Sequence, residues 1–174
     1  MIIMRLQREI MEMRKVTPDM LRSILDQHQV WIDTDGEAGG RAVLTGMDLR
    51  GLSFWRAELG NADLDRADLR GANLDHARLC NAKLRGANLA RASLWSADLR
   101  NARLCDADLQ RAKFDHADLR GADLRGTDLT DATFWAARLE GADLRGATPL
   151  MPAQREPAIL DADTRLDPVF AADA

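Results

Sequence analysis

The stretch Ala62-Asp63-Leu64-Asp65-Arg66-Ala67-Asp68-Leu69-Arg70-Gly71 contains two copies of one five-residue unit. Each copy places Ala first, then a polar residue, then Leu, and then two variable positions. The unit continues from Ala42 to Thr148, and its central residue is Leu or Phe at every fifth position from Leu44 to Leu144, which makes 21 units without an insertion. A tandem repeat this regular predicts a solenoid.

A period of five fits neither a straight strand nor a helix. In a strand, a shift of five residues would turn each central side chain to the opposite face. In an α-helix, which advances ~100° per residue, the central residues would spiral around the whole surface. The chain must therefore bend once per unit, and bends of one hand make every Ala and central residue point inward. Successive coils can then pair through their backbones at ~4.8 Å spacing.

Residues of one type recur at multiples of 20, which indicates four units per coil. Side chains of one type stack well in ladders, so the spacing favours a coil of 20 residues. The recurring sets are Phe54, Phe114 and Phe134; Trp55, Trp95 and Trp135; His76 and His116; and Asn61, Asn81 and Asn101.

The tandem A(D/N)LXX unit resembles the pentapeptide repeat family, over about 105 of the 174 residues. The resemblance implies an all-β solenoid, a right-handed quadrilateral β-helix of about five coils and a rod roughly 25 Å long at ~4.8 Å per coil. The helical segment that ends near Trp31 also resembles the leader found before many such repeat blocks. Corners of the coil suit glycine, which tolerates positive φ. The glycines expected there are Gly71, Gly86, Gly121, Gly126, Gly141 and Gly146.

We divide the chain into three parts: residues 1–41, an N-terminal helical segment and cap; residues 42–148, the repeat β-helix; and residues 149–174, an acidic C-terminal tail with prolines. Thr17 as N-cap and Pro18 as first helical residue predict a helix over 18–31 that lies on the first coil. Its apolar face is expected to contain Leu21, Ile24, Leu25 and His28. Met47 and Leu52 replace the inward Ala of the first coil and are expected to meet this cap.

Both ends of the chain leave alternatives open. Ile3, Leu6, Ile10 and Met13 form an apolar seam that either packs on the same cap or frays, or else pairs with a partner helix or a second copy in a homodimer. In the tail, Pro149, Pro152 and Pro157 stop the repeat. Ile159-Leu160 and Val169-Phe170 either fold back over the last coil as part of a cap or belong to a flexible acidic tail.

Charge and composition exclude several classes of function. The net charge is −4, yet the repeat block carries 16 acidic and 16 basic residues, while residues 149–174 carry 5 and 2. A neutral block lacks the basic footprint of a nucleic-acid binder, so we expect no direct nucleic-acid contact. The N-terminus has no signal-peptide core, and no apolar run approaches the ~20 residues of a membrane span. We therefore expect a cytoplasmic protein that does not associate with membranes.

Few residues suggest chemistry. The sequence has no phosphate-binding loop, nucleophile elbow or paired-cysteine metal motif, so we predict that the protein is not an enzyme and binds no cofactor or metal. His76 and His116 lie two coils apart and are interpreted as surface histidines. Cys80 and Cys105 differ by one coil plus one side, so we predict two free thiols. The Asp residues that precede Leu, such as Asp68 beside Arg70, are expected to form a mostly solvated mixed-charge surface.

The aromatic residues of the repeat block gather on one of the four sides. Phe occupies inward central positions there, and each Trp follows a central residue and is expected to point outward. The outward column reads Trp55, Asp75, Trp95, Asp115 and Trp135. Exposed apolar patches mark partner surfaces, and Trp is enriched in binding hot spots. The alternative is that Trp only covers neighbouring side-chain stems.

The leading hypothesis is a non-enzymatic scaffold that binds another protein through this column of Trp and Asp. An alternative follows from the resemblance, because some family members imitate B-form DNA and bind DNA gyrase, and some of these protect it from quinolones. Three departures weigh against it here: the repeat block is neutral, the rod is short, and no loop interrupts the coils. A third hypothesis treats the block as a spacer whose terminal segments do the binding.

Overall fold

A computed structural model describes residues 15–148, 150–155 and 157–167. It contains two helices, α1 over Pro18–Asp33 and the single turn α2 over Pro152–Arg155. The repeat block pairs from coil to coil through isolated parallel bridges. Neither described helix has the length and apolar content of a membrane span. The apolar seam predicted before residue 14 and the Val169-Phe170 pair lie outside the described residues.

Parallel bridges join residues 20 positions apart through the repeat block, from Val43 with Asp63 to Asp123 with Asp143. The pairing is the same in each unit. Leu74 N–H, for example, donates to the Ser93 carbonyl at 2.7 Å. Four five-residue units therefore complete one circuit, as the recurrence of like residues predicted.

The interior of the solenoid consists of the central Leu and Phe side chains and the Ala residues two positions before them. The central residues from Leu44 to Leu144 are 0–4% exposed, and most of the Ala residues are equally buried. Phe114 and Phe134 stack with ring centroids 5.2 Å apart and planes 6° from parallel. Close packing of identical side chains from coil to coil leaves outward positions as the variable part of the molecule.

Each corner has positive φ at the second residue after the central one. A hydrogen bond closes the turn, as from Ala77 N–H to the Leu74 carbonyl at 3.0 Å. The glycines predicted at corners all have positive φ, but thirteen further corners carry other residues in the same conformation, such as Arg111 with φ 58°. The N–H of that corner residue donates to the next coil, at 2.9 Å from Arg111 to Thr130, so the ladder holds the conformation.

Helix α1 begins where predicted and ends two residues later. The Thr17 side chain accepts a hydrogen bond from Met20 N–H at 3.2 Å, and Pro18 is the first helical residue. The helix continues to Asp33 because Thr34, rather than the Trp31 region, caps its C-terminus with bonds to the Val30 and Ile32 carbonyls.

The predicted apolar face of α1 packs against the start of the solenoid. Leu21 is 4% exposed and His28 is fully buried, and Ile24 and Leu25 pack on the same core. His28 Nδ1 accepts a hydrogen bond from the Ala42 N–H at 3.1 Å, which joins the helix to the first repeat unit. The large residues at the small position, Met47 and Leu52, also contact this core.

The ladder continues beyond Thr148 on two sides. Arg138 bridges to Ile159 and Asp143 to Arg165, at spacings of 21 and 22 residues. Helix α2 interrupts the coil before these two bridges, and the Gln154 side-chain amide donates to the Leu129 and Ala132 carbonyls at 2.9 and 2.8 Å. The described part of the tail therefore lies along the last coil.

Candidate protein-binding face

The predicted outward column is exposed at all three tryptophans. We call Trp55, Asp75, Trp95, Asp115 and Trp135 the Trp face. The Trp side chains are 54%, 43% and 65% exposed, in chain order, while the Phe or Leu residue before each is buried. Alternation along an extended segment explains this, because residues next to one another point to opposite sides.

The two carboxylates of the Trp face hold the backbone of the Trp residues that follow them by one coil. Asp75 Oδ1 accepts from Trp95 N–H at 3.0 Å, and Asp115 Oδ1 accepts from Trp135 N–H at 2.9 Å. Ser93 Oγ also donates to Asp75 Oδ1, at 2.5 Å. Both Asp residues are half-buried. Each therefore positions the backbone of the following Trp through one carboxylate oxygen.

The two histidines predicted at the surface flank the central tryptophan. His76 lies edge-on to Trp95 with centroids 4.7 Å apart, and His116 lies edge-on from the next coil at 5.9 Å. They occupy corners with φ near 60°. The repeat predicts that the two histidines lie two coils apart. It does not predict that the ring of Trp95, from the intervening coil, lies between them.

The end of the Trp face nearest α1 carries a cation. The Arg56 guanidinium lies 4.4 Å from the centroid of the Trp55 ring, in the geometry of a cation–π contact. At the opposite end, a surface groove of about 890 Å³ opens beside Trp135. Its walls include Phe134, Met151, Gln154 and Pro157, so the short helix α2 deepens the Trp face where it interrupts the coil.

The other sides of the solenoid carry paired charges, and one detail of the predicted charged surface was wrong. Arg70 forms a bidentate pair with Asp68, with Nε–Oδ1 and Nη2–Oδ2 distances of 2.8 and 2.6 Å. The Asp68 side chain is 29% exposed, so it is largely covered rather than mostly solvated. Its hydrogen bond from Arg70 is the main cause that lowers the pKa of the Asp68 carboxyl. The same pairing recurs at Asp48, Asp98, Asp118, Asp123 and Asp143.

Both cysteines are free thiols, as predicted. Burial raises the pKa of the Cys80 thiol and of the Cys105 thiol, and nearby carboxylates, Asp98 and Asp123 respectively, act in the same direction. A raised pKa disfavours the nucleophilic thiolate. Within the described ranges, no three His, Cys, Asp or Glu residues are grouped in a way that could hold a metal ion.

The repeat block is similar to a known protein family. The family model for pentapeptide repeats matches in eight copies, over residues 40–75, 48–86, 87–126 and 107–146. No curated protein matches the chain.

Three solved structures illustrate the likeness. HetL from Nostoc sp. strain PCC 7120, a pentapeptide repeat protein involved in the regulation of heterocyst differentiation, is 33% identical over 72% of this chain and 67% of its own, with a TM-score of 0.43. A pentapeptide repeat protein of the Arabidopsis thaliana thylakoid lumen is 34% identical over 64% and 73%, with a TM-score of 0.43. QnrB1, a plasmid-mediated fluoroquinolone resistance protein, is 17% identical over 70% and 73%, with a TM-score of 0.34. On the match of the family model to more than half of its residues, the chain belongs to the pentapeptide repeat family, whose members form right-handed quadrilateral β-helices.

Proposed function

We propose that this protein is a non-enzymatic scaffold that binds another protein through the Trp face. The observation that carries the proposal is the exposure of three Trp side chains, 43–65%, in one straight column of a solenoid. Trp buries a large area when a partner covers it, and interface hot spots are enriched in it. The buried Phe side chains behind the column supply a rigid backing, which lowers the entropy cost of ordering the surface on binding.

The rest of the chain supports this face. We propose about five coils, with α1 covering the first coil and residues 150–167 covering part of the last. An uncovered end would expose both the apolar interior and unpaired backbone groups, and each is a hazard for aggregation. The buried Leu21 and the Gln154 bonds to the last coil support these two capping roles.

The test is capture of partners from a lysate of the source organism, with identification by mass spectrometry. We expect the double variant Trp95→Ser, Trp135→Ser to lose specifically captured proteins while its circular dichroism spectrum stays unchanged. The matched control is Val43→Ser, which removes a 56% exposed apolar side chain from another side of the solenoid. Equal capture by the double variant and the wild type would refute the proposal.

Two deletion variants distinguish binding through the Trp face from binding through the ends of the chain. Removing residues 1–14 or residues 168–174 is expected to leave capture intact. Loss of capture on either deletion, with the Trp variants unaffected, would instead favour the interpretation in which the repeat block is a spacer. Light scattering on the same samples tests a homodimer through the N-terminal segment.

A further inference from the structure

The spacing of the three tryptophans restricts the shape of a partner that contacts all of them. Each Trp lies two coils from the next, which is ~9.6 Å along the rod at ~4.8 Å per coil. Inter-coil hydrogen bonds, such as those from His76 to Trp95 at 2.9 Å and from His116 to Trp135 at 2.7 Å, hold the spacing fixed. A partner must therefore repeat its own contacts at this interval.

A polyproline II helix has this interval. It has three residues per turn and rises ~3.1 Å per residue, so residues three apart lie ~9.3 Å apart on one side. Two such intervals, which are six residues, cover ~19 Å, about the same as the four coils from Trp55 to Trp135. An α-helical heptad rises ~10.5 Å and would be out of register by about 2 Å over that span. A β-strand repeats its face every two residues, at ~6.8 or ~13.6 Å, and misses the interval altogether.

The hydrogen-bonding groups also complement such a partner. A polyproline II backbone has no internal hydrogen bonds, so its carbonyl groups are available as acceptors. The indole N–H of Trp is a donor only. Among the hydrogen bonds of the described residues, Trp55, Trp95 and Trp135 donate through their backbone N–H groups alone. Three indole donors at one-turn intervals can therefore serve successive turns of the partner.

The two carboxylates of the Trp face suit a basic partner, while Arg56 adds one cation at the Trp55 end. No described Lys or Arg forms an ion pair with Asp75 or Asp115, unlike the Asp residues on the charged sides. Among the described residues, both carboxylates accept hydrogen bonds through Oδ1, which leaves Oδ2 for a cation from the partner. Each carboxylate lies halfway between two Trp residues, within reach of a long Lys or Arg side chain on the same turn.

We propose, on the basis of the function proposed above, that the Trp face binds an extended proline-rich segment with Pro at every third residue and Lys or Arg between the prolines. The proline rings lie on Trp55, Trp95 and Trp135, and the basic side chains reach Asp75 and Asp115. The edge-on rings of His76 and His116 flank the proline that contacts Trp95. The groove beside Trp135 binds the end of the segment.

The experiment is fluorescence anisotropy with the full chain and a labelled peptide, Pro-Ala-Arg repeated three times. The register control is Pro-Ala-Arg-Ala-Pro-Arg-Ala-Arg-Pro, which has the same composition and charge but spaces its prolines by four. We expect the control to bind at least about tenfold more weakly, a difference of ~1.4 kcal/mol. Replacement of Arg by Glu in the first peptide is expected to abolish binding.

Two protein variants assign the contacts. Trp95→Ser is expected to weaken binding of the first peptide at least about tenfold, the scale of a hot-spot residue. The double variant Asp75→Asn, Asp115→Asn keeps the oxygen that accepts from the Trp backbone but removes both charges. It is expected to weaken the Arg peptide severalfold and to leave a Pro-Ala-Ala peptide unaffected. Val43→Ser again serves as the neutral control.

Several outcomes would overturn this inference. These are equal binding of the two peptide registers, binding that survives Trp95→Ser, and no binding of either peptide. Binding of a β-1,4-linked glucose hexasaccharide in place of the peptide would identify the face as a glycan site. Self-association that Trp95→Ser abolishes would identify a second copy of this chain as the occupant. If lysate capture depends on Trp95 and Trp135 while the peptide fails, the proposed function stands and only the class of partner is wrong.

Discussion

At the scale of single residues, the ladder between coils determines backbone conformation more strongly than residue preference does. Left-handed backbone costs an ordinary residue roughly 1–2 kcal/mol, yet Arg, His, Asp and Ala all adopt it at corners here. From Gly46 to Gly126, the N–H of each corner residue donates to a carbonyl of the next coil, as from Arg91 to Gln110 at 2.9 Å. The hydrogen bond and the buried units on either side of the corner outweigh the local penalty.

His28 shows a buried titratable group at the junction of helix and solenoid. Its side chain is fully buried, and Nδ1 accepts from Ala42 N–H, so the neutral ring fits the site. Burial is the main cause that lowers the pKa of His28, with a smaller contribution from Arg41 in the same direction. A lowered pKa means that the unfolded chain binds the proton more readily, so acid favours unfolding.

We therefore expect the free energy of unfolding to fall as the pH drops below about 6.5, the ordinary value for His. The loss continues until the pH passes the lowered pKa of the folded state, and the full stabilisation is present above pH 6.5. The measurement is urea denaturation at pH 7.5, 6.0 and 5.0. The Asp carboxyls whose pKa is lowered, such as Asp68, act in the same direction but only at more acidic pH.

The control for this prediction is His28→Asn, whose amide oxygen can accept from Ala42 N–H but does not titrate. At pH 7.5 the variant is expected to be less stable by about 1–3 kcal/mol because it fills the site less well. Between pH 7.5 and 5.0 its stability should decline less than that of the wild type. Parallel declines in the two proteins would show that His28 is not the group responsible.

The repeat itself explains which residue-level features could be predicted from the sequence. Alternation of inward and outward positions was enough to predict that Trp55, Trp95 and Trp135 are exposed. Side-chain contacts between coils are harder to predict, because they depend on side-chain directions that the sequence alone does not specify. The placement of Trp95 between His76 and His116 and the covering of the Asp68 carboxylate are of this kind.

At the scale of elements, helix α1 combines a clear local signal with a tertiary one. Thr17 as N-cap and Pro18 as the first helical residue could be predicted from the sequence, because both signals act within one turn. The sequence predicts the C-terminal end two residues too early, because Val30, Trp31 and Ile32 resemble the end of an apolar segment. The actual stop comes from the Thr34 side chain, whose hydroxyl donates to the Val30 carbonyl at 2.7 Å.

The proposed capping role of α1 gives a prediction with an internal control. Leu21→Ala removes a side chain that is 4% exposed between the helix and the first coil, and we expect it to cost about 2–5 kcal/mol. Met20→Ala changes the adjacent residue, which is 52% exposed, and should stay within about 0.5 kcal/mol of the wild type. The midpoint of urea denaturation, followed by circular dichroism, compares the two. Similar small effects would mean that the first coil is stable without the helix.

At the scale of the whole molecule, charge is distributed in pairs. The repeat block has equal numbers of acidic and basic residues, and bidentate Arg–Asp pairs place opposite charges side by side along the coils. Such pairing gives a surface with little long-range field. The proposed recognition therefore relies on the shape and apolar area of the Trp face, together with its two carboxylates, which form no ion pair within the described residues.

This distribution argues against imitation of DNA. B-form DNA carries one negative charge per ~1.7 Å, so a rod of roughly 25 Å would need about 15 net negative charges to match it. The repeat block has a net charge of zero, from 16 acidic and 16 basic residues. We therefore expect no inhibition of gyrase supercoiling at micromolar excess of this protein, and no protection of gyrase from quinolones. A gyrase inhibitor added in parallel verifies the assay, and inhibition that rises with the dose of this protein would reinstate the DNA-mimic function.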